Sequence, residues 1–180
     1  MINFDDFSDK FTDVKIVNPH NFIDKRGELI KFYSKELTSI LPKADEIFLT
    51  TSSKNVIRGI HFQKPPNDLA KFVCCLDGKI VDMFIDLRTE SKTFGEFDTL
   101  ELSSNENKGL LIPQGFGHAY SVISENAKVL YVQSGDYNPY KESGINPLSI
   151  DVDWRIEEPI ISEKDLNSPP FNKEKKELYV

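Results

Sequence analysis

The sequence has only three histidines, at positions 20, 61 and 118, and histidine is the side chain best suited to acid–base or metal chemistry. A catalytic metal in a β-barrel needs several imidazole or carboxylate ligands that converge on one ion. The segment RGIHFQ has one histidine where an HxH pair would be needed, so we predict no metal site. A histidine otherwise acts as an acid or a base near neutral pH if a neighbour fixes its tautomer. His61 is therefore either such a group or a hydrogen-bonded core residue.

Two cations accompany His61 along the chain, Arg58 three residues before it and Lys71 at the start of the next apolar run. In a regular strand, residues 58 and 61 face opposite sides. A shared site therefore requires an irregularity, for which Gly59 is the natural place. Tyr131 also carries a proton that could take part in catalysis, and a tyrosine that packs in the core with one hydrogen bond is an equally good interpretation of it.

Short β-strands are the elements that must position these groups. Apolar or alternating runs recur between turn residues, and helical periodicity is nearly absent between residues 45 and 135. Many short strands at this spacing predict an all-β sandwich or barrel. Asp77 and Gly78 predict a tight hairpin turn. The predicted strands are Glu46–Thr50, Val56–Phe62, Lys71–Leu76, Lys79–Leu87, Phe97–Leu102, Gly109–Ile112, His118–Ile123 and Lys128–Gln133.

The run KIVDMFIDLR has one apolar face and one mixed face, which carries Asp82, Phe84, Asp86 and Arg88. A mixed face is usually exposed to solvent in β proteins. The alternative is a barrel whose interior is partly polar and holds a ligand. The sequence leaves both interpretations open.

Size and charge narrow the class of protein. A chain of 180 residues and 20.6 kDa predicts a single domain, residues 1–180, with a core barrel at about 13–135 and a C-terminal segment of short helices and loops at 136–180. The net charge of −7 argues against nucleic-acid binding. The absence of a long apolar run argues against a membrane span. The acidic start lacks the features of an export signal, which predicts a cytoplasmic protein.

An ordered set of motifs runs through most of the chain. Its segments are DKRGEL at 24–29, NVIRGIHFQ at 55–63, KFV at 71–73, GKIVDMFIDLRTESKTFGEF at 78–97, LSSNENKGLLIPQGFGHAYSVIS at 102–124, LYVQSGDYNP at 130–139, DW at 153–154 and SEKD at 162–165. This set resembles the dTDP-4-dehydrorhamnose 3,5-epimerase family. The resemblance implies a cupin-type jelly-roll barrel, a homodimer that exchanges strands, and no metal or cofactor. It also implies an epimerase that inverts C3, C5 or both in a nucleotide-linked 4-keto-6-deoxyhexose through an enolate.

The same resemblance assigns roles to individual positions. His61 and Asp165 match the family's general base, and Lys71 matches the lysine that steadies the enolate oxygen. Tyr131 matches the tyrosine that returns the proton from the opposite face of the ring. Positions that match substrate-binding residues are Arg58, Arg26, His118, Tyr137, Asp82 and Gln63.

Three positions depart from the family pattern where it holds the base, namely Lys31, Glu46 and Phe48. The expected partner is a nucleoside diphosphate 4-keto-6-deoxysugar carried on dTDP, with CDP and GDP as alternative carriers. The alternative activities are a 3,4-ketoisomerase on the same substrates, a metal-dependent barrel oxygenase and a non-catalytic sugar-nucleotide-binding barrel.

Overall fold

The structure is a computed structural model that describes residues 2–39, 41 and 43–179. In this part of the chain, strands dominate and the helices are short, which confirms the predicted all-β class and the short C-terminal helices. The α-helix α1 spans Glu163–Leu166, and 3-10 turns span Lys35–Ser39, Pro147–Ser149 and Lys176–Tyr179. The strands are β1 (Asn3–Asp6), β2 (Lys15–Asn18), β3 (His20–Asp24), β4 (Gly27–Lys31), β5 (Glu46–Ser53), β6 (Ile57–Gln63), β7 (Ala70–Asp77), β8 (Lys79–Asp86), β9 (Phe97–Ser103), β10 (Gly109–Ile112), β11 (Phe116–Val122), β12 (Asn126–Ser134) and β13 (Glu142–Gly144).

Two antiparallel sheets carry the fold. One has the order β1-β2-β10-β7-β12-β5 and the other has the order β13-β6-β11-β8-β9, while β3 and β4 form a separate two-stranded sheet. The eight predicted runs correspond to β5 through β12, and their bounds agree to within a few residues. The two large sheets do not join into a closed barrel. None of the described helices is long and apolar enough to cross a membrane.

The main core lies between the two sheets. Val73 and Val129 of the first sheet pack in one buried cluster with Phe84 and Tyr120 of the second. A further cluster covers the opposite face of the second sheet, where C-terminal residues such as Trp154 pack near Met83 and Ile85. Because both faces of the second sheet are covered, its strands carry few exposed residues.

The Asp77–Gly78 turn does not close a hairpin, so that prediction is wrong. β7 pairs with β10 and β12, whereas β8 pairs with β11 and β9 in the other sheet. Gly78 has φ +82°, and an added Cβ would lie 2.0 Å from the Asn126 carbonyl oxygen. The turn therefore takes the chain from one sheet to the other through a passage that only glycine fits.

The mixed face of β8 is buried rather than exposed to solvent. Asp82 and Asp86 have no solvent exposure, and Phe84 lies in the main core. Asp86 hydrogen-bonds Arg88, Ser91 and other neighbours. The second interpretation, a partly polar interior, is the one that the structure supports.

Gly59 provides the irregularity that the sequence requires. The pairing of β6 with β11 joins His61 to His118 and Arg58 to Tyr120, so β6 has one residue more than its partner over this stretch. Such a bulge turns Arg58 and His61 to the same face. Gly59 has φ +109°, and an added Cβ would lie 2.5 Å from the His118 carbonyl oxygen and 2.8 Å from the Ala119 Cβ.

The variant Gly59→Ala is expected to lower the free energy of unfolding. Positive φ in a residue with a side chain costs about 1–3 kcal/mol, and the overlap with β11 adds to this cost. Urea unfolding measures the change. Gly27→Ala is the matched control, because Gly27 has φ +121° but no atom within 4 Å of an added Cβ. An equal decrease in the free energy of unfolding in the two variants would show that the overlap with β11 adds no cost, because β11 shifts to accommodate the methyl group.

Candidate active site

Strands of both large sheets line a cavity of about 380 Å³. Seven of the ten predicted site residues lie on its wall. A further two, Asp82 and Asp165, lie behind the wall, where they hydrogen-bond histidines that line the cavity. The seven residues are Arg58, His61, Gln63, Lys71, His118, Tyr131 and Tyr137.

His61 and Asp165 form a hydrogen-bonded pair. Nε2 of His61 lies 2.7 Å from Oδ1 of Asp165, and the other carboxylate oxygen accepts the Gly59 backbone N–H at 3.2 Å. Asp165 is held on α1, where its own backbone N–H donates to the Ser162 side chain that caps the helix. Because Nε2 is committed to Asp165, the other ring nitrogen of His61 is the one free to accept a proton.

The charge of Asp165 is stabilised in place. Burial alone would raise the pKa of this carboxyl, but the hydrogen bonds from His61 and from the Gly59 backbone outweigh it and hold the pKa below its ordinary value. A carboxylate that stays ionised next to an imidazole stabilises the protonated ring. The pair is therefore suited to remove a proton from a bound substrate.

Lys71 supplies a buried cation at the same cavity. Its Nζ donates to the His61 carbonyl oxygen at 3.2 Å, and the residue is 7% exposed. Burial lowers the pKa of Lys71 to about 8, although the charges of Asp82 and Glu142 act in the opposite direction. A cation with little surrounding water interacts strongly with a developing negative charge.

Tyr131 carries a hydroxyl that the protein leaves available. Among the residues that the structure describes, no group hydrogen-bonds this hydroxyl. Burial raises the pKa of Tyr131 well above its ordinary value, so the side chain keeps its proton at neutral pH. The expected core tyrosine with a hydrogen-bonded hydroxyl is instead Tyr120, whose oxygen lies 2.9 Å from Thr50 Oγ1 and 3.0 Å from Ser52 Oγ.

His118 and Asp82 form a second buried pair beside the first. Nε2 of His118 lies 2.9 Å from Oδ2 of Asp82, and both residues are almost fully buried. Burial lowers the pKa of His118, so the ring stays neutral and donates its Nε2–H to the carboxylate. The other oxygen of Asp82 is buried and has no hydrogen-bond partner among the described residues.

Arg58 and Gln63 also line the cavity, and they differ in whether their polar atoms are already hydrogen-bonded within the protein. Arg58 donates its Nε–H to Ser52, which leaves its terminal nitrogens for a ligand. The Gln63 amide is occupied by backbone groups of Asn67, Asp136 and Asn138, so it shapes the loop that carries Tyr137.

Glu142 is a wall residue that the sequence interpretation missed. It accepts a hydrogen bond from the Tyr137 hydroxyl at 2.9 Å and pairs with Lys164 at 3.0 Å. No motif spacing marks it in the sequence. Its position depends on the pairing of β13 with β6, which places it opposite Gln63.

Arg26 is the one predicted site residue that the structure places away from this cavity. It lies in the turn between β3 and β4, where it pairs with Asp24, and its side chain is 84% exposed. Within a single chain, Arg26 contributes nothing to the cavity that holds His61.

No group of three or more potential metal ligands occurs in the described residues.

Comparison with known proteins agrees with this geometry. Residues 8–173 match the family profile described as dTDP-4-dehydrorhamnose 3,5-epimerase. The enzyme of that name from Salmonella typhimurium is 35% identical over 164 residues, which cover 87% of this chain and 90% of that protein. The crystal structure of the enzyme from Elizabethkingia anophelis has a TM-score of 0.87 and 34% identity, and the match covers 97% of this chain and 98% of that one.

A third relative was solved with a sugar nucleotide. The dTDP-6-deoxy-D-glucose-3,5-epimerase of Legionella pneumophila, in complex with dTDP-4-keto-L-rhamnose, has a TM-score of 0.87 and 27% identity, covering 94% of this chain and 93% of that one. The fold and these relatives together define a carbohydrate epimerase of the cupin-like class. The chain belongs to the dTDP-4-dehydrorhamnose 3,5-epimerase family. The predicted family, fold and enzyme class are confirmed.

Proposed function

We propose that this pocket epimerises a nucleoside diphosphate 4-keto-6-deoxyhexose at C3, C5 or both, with His61 as the base and Tyr131 as the acid. One observation carries the proposal. A carboxylate-bound histidine, a buried ammonium and a tyrosine with an unbonded hydroxyl line the same cavity. These are the groups that inversion at a carbon beside a ketone requires.

The chemistry balances without a co-reactant. His61 takes the proton from the carbon beside the carbonyl. The electron pair of that C–H bond forms a carbon–carbon double bond while the carbonyl π pair moves onto the oxygen, which gives an enolate. Lys71 stabilises the negative oxygen. Tyr131 then donates its proton to the carbon from the opposite face, which inverts the stereocentre, and proton exchange with water restores both side chains.

Local cations must hold the diphosphate, because the chain as a whole has a net charge of −7. Arg58 is the proposed phosphate ligand, since its free terminal nitrogens line the cavity. His118, held by Asp82, and Tyr137 are proposed to contact the sugar and the nucleotide. Gln63 is proposed to act through the loop that it braces.

Incubation of the protein in D₂O with dTDP-, CDP- and GDP-linked 4-keto-6-deoxyhexoses tests the function. Mass spectrometry is expected to show one deuterium if one carbon is attacked and two if both are. A product with a displaced carbonyl would identify a 3,4-ketoisomerase instead. If none of the three sugars takes up deuterium, the proposed epimerase activity is refuted, and the protein either binds sugar nucleotides without catalysis or catalyses a different reaction.

The carrier nucleotide is proposed to be dTDP, as in the ligand of the Legionella structure. Two of the departures from the family pattern, Glu46 and Phe48, lie on the cavity wall, and Glu46 accepts a hydrogen bond from Gln133 at 3.1 Å. Because these two positions differ from the family pattern for binding the base, CDP and GDP stay as alternative carriers. Titrations with the three nucleotides discriminate among them, and a clear preference for CDP or GDP would overturn the assignment to dTDP.

A homodimer is proposed on the basis of exposed apolar surface. The β3–β4 sheet has only two strands and exposes Phe22 (51%) and Ile23 (78%), whereas edge strand β5 exposes Ile47 (63%) and Leu49 (52%). A two-stranded sheet is marginally stable alone and an exposed edge favours further pairing. Exchange of this hairpin between two copies would also bring Arg26 to a neighbouring cavity. Light scattering in solution tests the dimer, and a monomeric mass would overturn it.

A cytoplasmic location is proposed from the substrate. A diphosphate carries charges that do not cross a lipid bilayer unaided. The enzyme is therefore expected in the compartment where sugar nucleotides are made. Cell fractionation tests this proposal.

The decrease of kcat/KM at high pH is expected to reflect deprotonation of Lys71. Because burial lowers the pKa of Lys71 to about 8, the ammonium is lost as the pH rises through that value. If the charged form stabilises the enolate, kcat/KM falls about tenfold per pH unit above this point. Tyr131 does not titrate in this range, since burial raises its pKa well above the ordinary value.

Lys71→Arg is the matched variant, because a guanidinium stays charged throughout. Its kcat/KM is expected to be lower than that of the wild type but to lack the limb near pH 8. The same limb in the arginine variant would assign the titration to another group.

A further inference from the structure

Phe48 and Tyr131 lie directly opposite each other in the pairing of β5 with β12. Their rings are stacked, with centroids 4.8 Å apart and planes inclined by 9°. Phe48 is on the edge strand and is 38% exposed, whereas Tyr131 is 7% exposed. The phenylalanine therefore covers one face of the tyrosine ring at the cavity wall.

Tyr131 is held by its ring rather than by its hydroxyl. In addition to the stack with Phe48, the His118 ring meets it edge to face at 5.6 Å and 75°. In the part of the chain that the structure describes, the hydroxyl has no hydrogen bond. A buried tyrosine usually fixes its orientation through the hydroxyl, but a hydroxyl engaged by the protein is less available to a substrate carbon. Packing on the ring fixes the orientation and leaves the proton free.

Tyr120 of β11 shows the contrasting arrangement against the same edge strand, β5. Its hydroxyl is bound by Thr50 and Ser52 of β5, which lie on the same side of the strand as Phe48. One edge strand thus holds two tyrosines in different ways, one by its hydroxyl and one by its ring. The tyrosine held by its ring is the one that lines the cavity.

We propose that Phe48 is the positioning residue for the proton-donating step, because its ring fixes the angle at which the Tyr131 hydroxyl meets the substrate carbon. The proposal rests on the proposed function. Loss of the stack should affect return of the proton and spare its removal by His61. Misplacement of a reacting group by about 1 Å costs roughly 10²-fold in rate.

Phe48→Leu, which keeps an apolar side chain but removes the ring, tests the proposal in D₂O. Uptake of deuterium at the attacked carbon and formation of the inverted product are followed in the same reaction. Uptake is expected to stay within about threefold of the wild type while inversion falls roughly 10–10²-fold. Phe48→Tyr keeps the stack and is expected to restore the wild-type ratio of uptake to inversion. Thr51→Ala, an exposed change on the opposite face of β5, should leave both rates unchanged.

The other outcomes have distinct meanings. Parallel loss of uptake and inversion in Phe48→Leu, or a higher KM with an unchanged ratio, would overturn the positioning role in favour of a structural or a binding one. If Phe48→Leu does not fold, Phe48→Met is the substitute, and thermal unfolding verifies the fold of each variant. Absence of uptake in the wild type would refute the proposed function itself. A normal ratio in Tyr131→Phe would refute the role of the tyrosine.

Discussion

His61→Ala is expected to abolish deuterium uptake and epimerisation together. The base acts first, so that without it no enolate forms and the later groups have nothing to act on. General bases contribute about 10²–10⁴-fold to rate, and both measured rates should fall by an amount in that range. Affinity for the nucleotide should persist, because Arg58 and not His61 is proposed to hold the diphosphate. Mass spectrometry in D₂O and calorimetric titration make the two measurements.

Asp165→Asn provides the matched control for the pair. The amide keeps a hydrogen-bond acceptor near Nε2 but no longer stabilises a protonated ring. Because removal of an orienting aspartate costs less than removal of the histidine it orients, a smaller loss than in His61→Ala is expected. In the double variant the two losses should not multiply, since Asp165 acts through His61. Independent, multiplicative losses would show that the carboxylate has another role. Uptake within tenfold of the wild type in His61→Ala would remove the histidine as the base.

The strands of this fold are predictable because they are signalled locally. Alternation and short apolar runs locate β5 through β12, and the glycine between Arg58 and His61 marks the bulge that lets both residues share a face. The strand KIVDMFIDLR shows the limit of such patterns. Its mixed face is buried, because Asp82 is paired with His118 of a distant strand and Asp86 is paired with residues of the turn that follows β8, such as Arg88. Alternation cannot distinguish solvent from a polar interior.

The Asp77–Gly78 turn shows a second limit. Turn chemistry specifies the backbone angles of a glycine but not which sheet the next strand joins, and here the next strand joins the opposite one. That choice depends on the packing of both sheets, which is a property of the whole chain.

The site is predictable only in part for the same reason. Asp165 lies 104 positions after His61, and no local pattern connects the two, so only the family resemblance brought them together. Glu142 and the stack of Phe48 on Tyr131 follow from strand pairing, which neither spacing nor composition reveals. Arg26 lies outside the cavity of its own chain, and a second copy is the proposed source of its contact.

Tyr131→Phe is expected to separate the two halves of the reaction. Removal of the hydroxyl leaves the ring stacked on Phe48 and leaves the His61–Asp165 pair and Lys71 in place. Proton removal and enolate formation should therefore continue, and deuterium should enter the substrate through the base. Return from the opposite face loses its donor, so inversion should fall about 10²–10⁴-fold. The measured result would be labelled starting material with little epimer.

Tyr120→Phe is the matched control, since it removes the hydroxyl of a neighbouring buried tyrosine that does not line the cavity. Its lost hydrogen bonds should cost about 1 kcal/mol of stability without changing the ratio of uptake to inversion. If Tyr131→Phe lowered uptake as much as inversion, the tyrosine would act before the enolate and a different group would return the proton. If inversion persisted, water or another side chain would be the acid. The ratio of the two rates, rather than either rate alone, therefore decides which face of the sugar each residue serves.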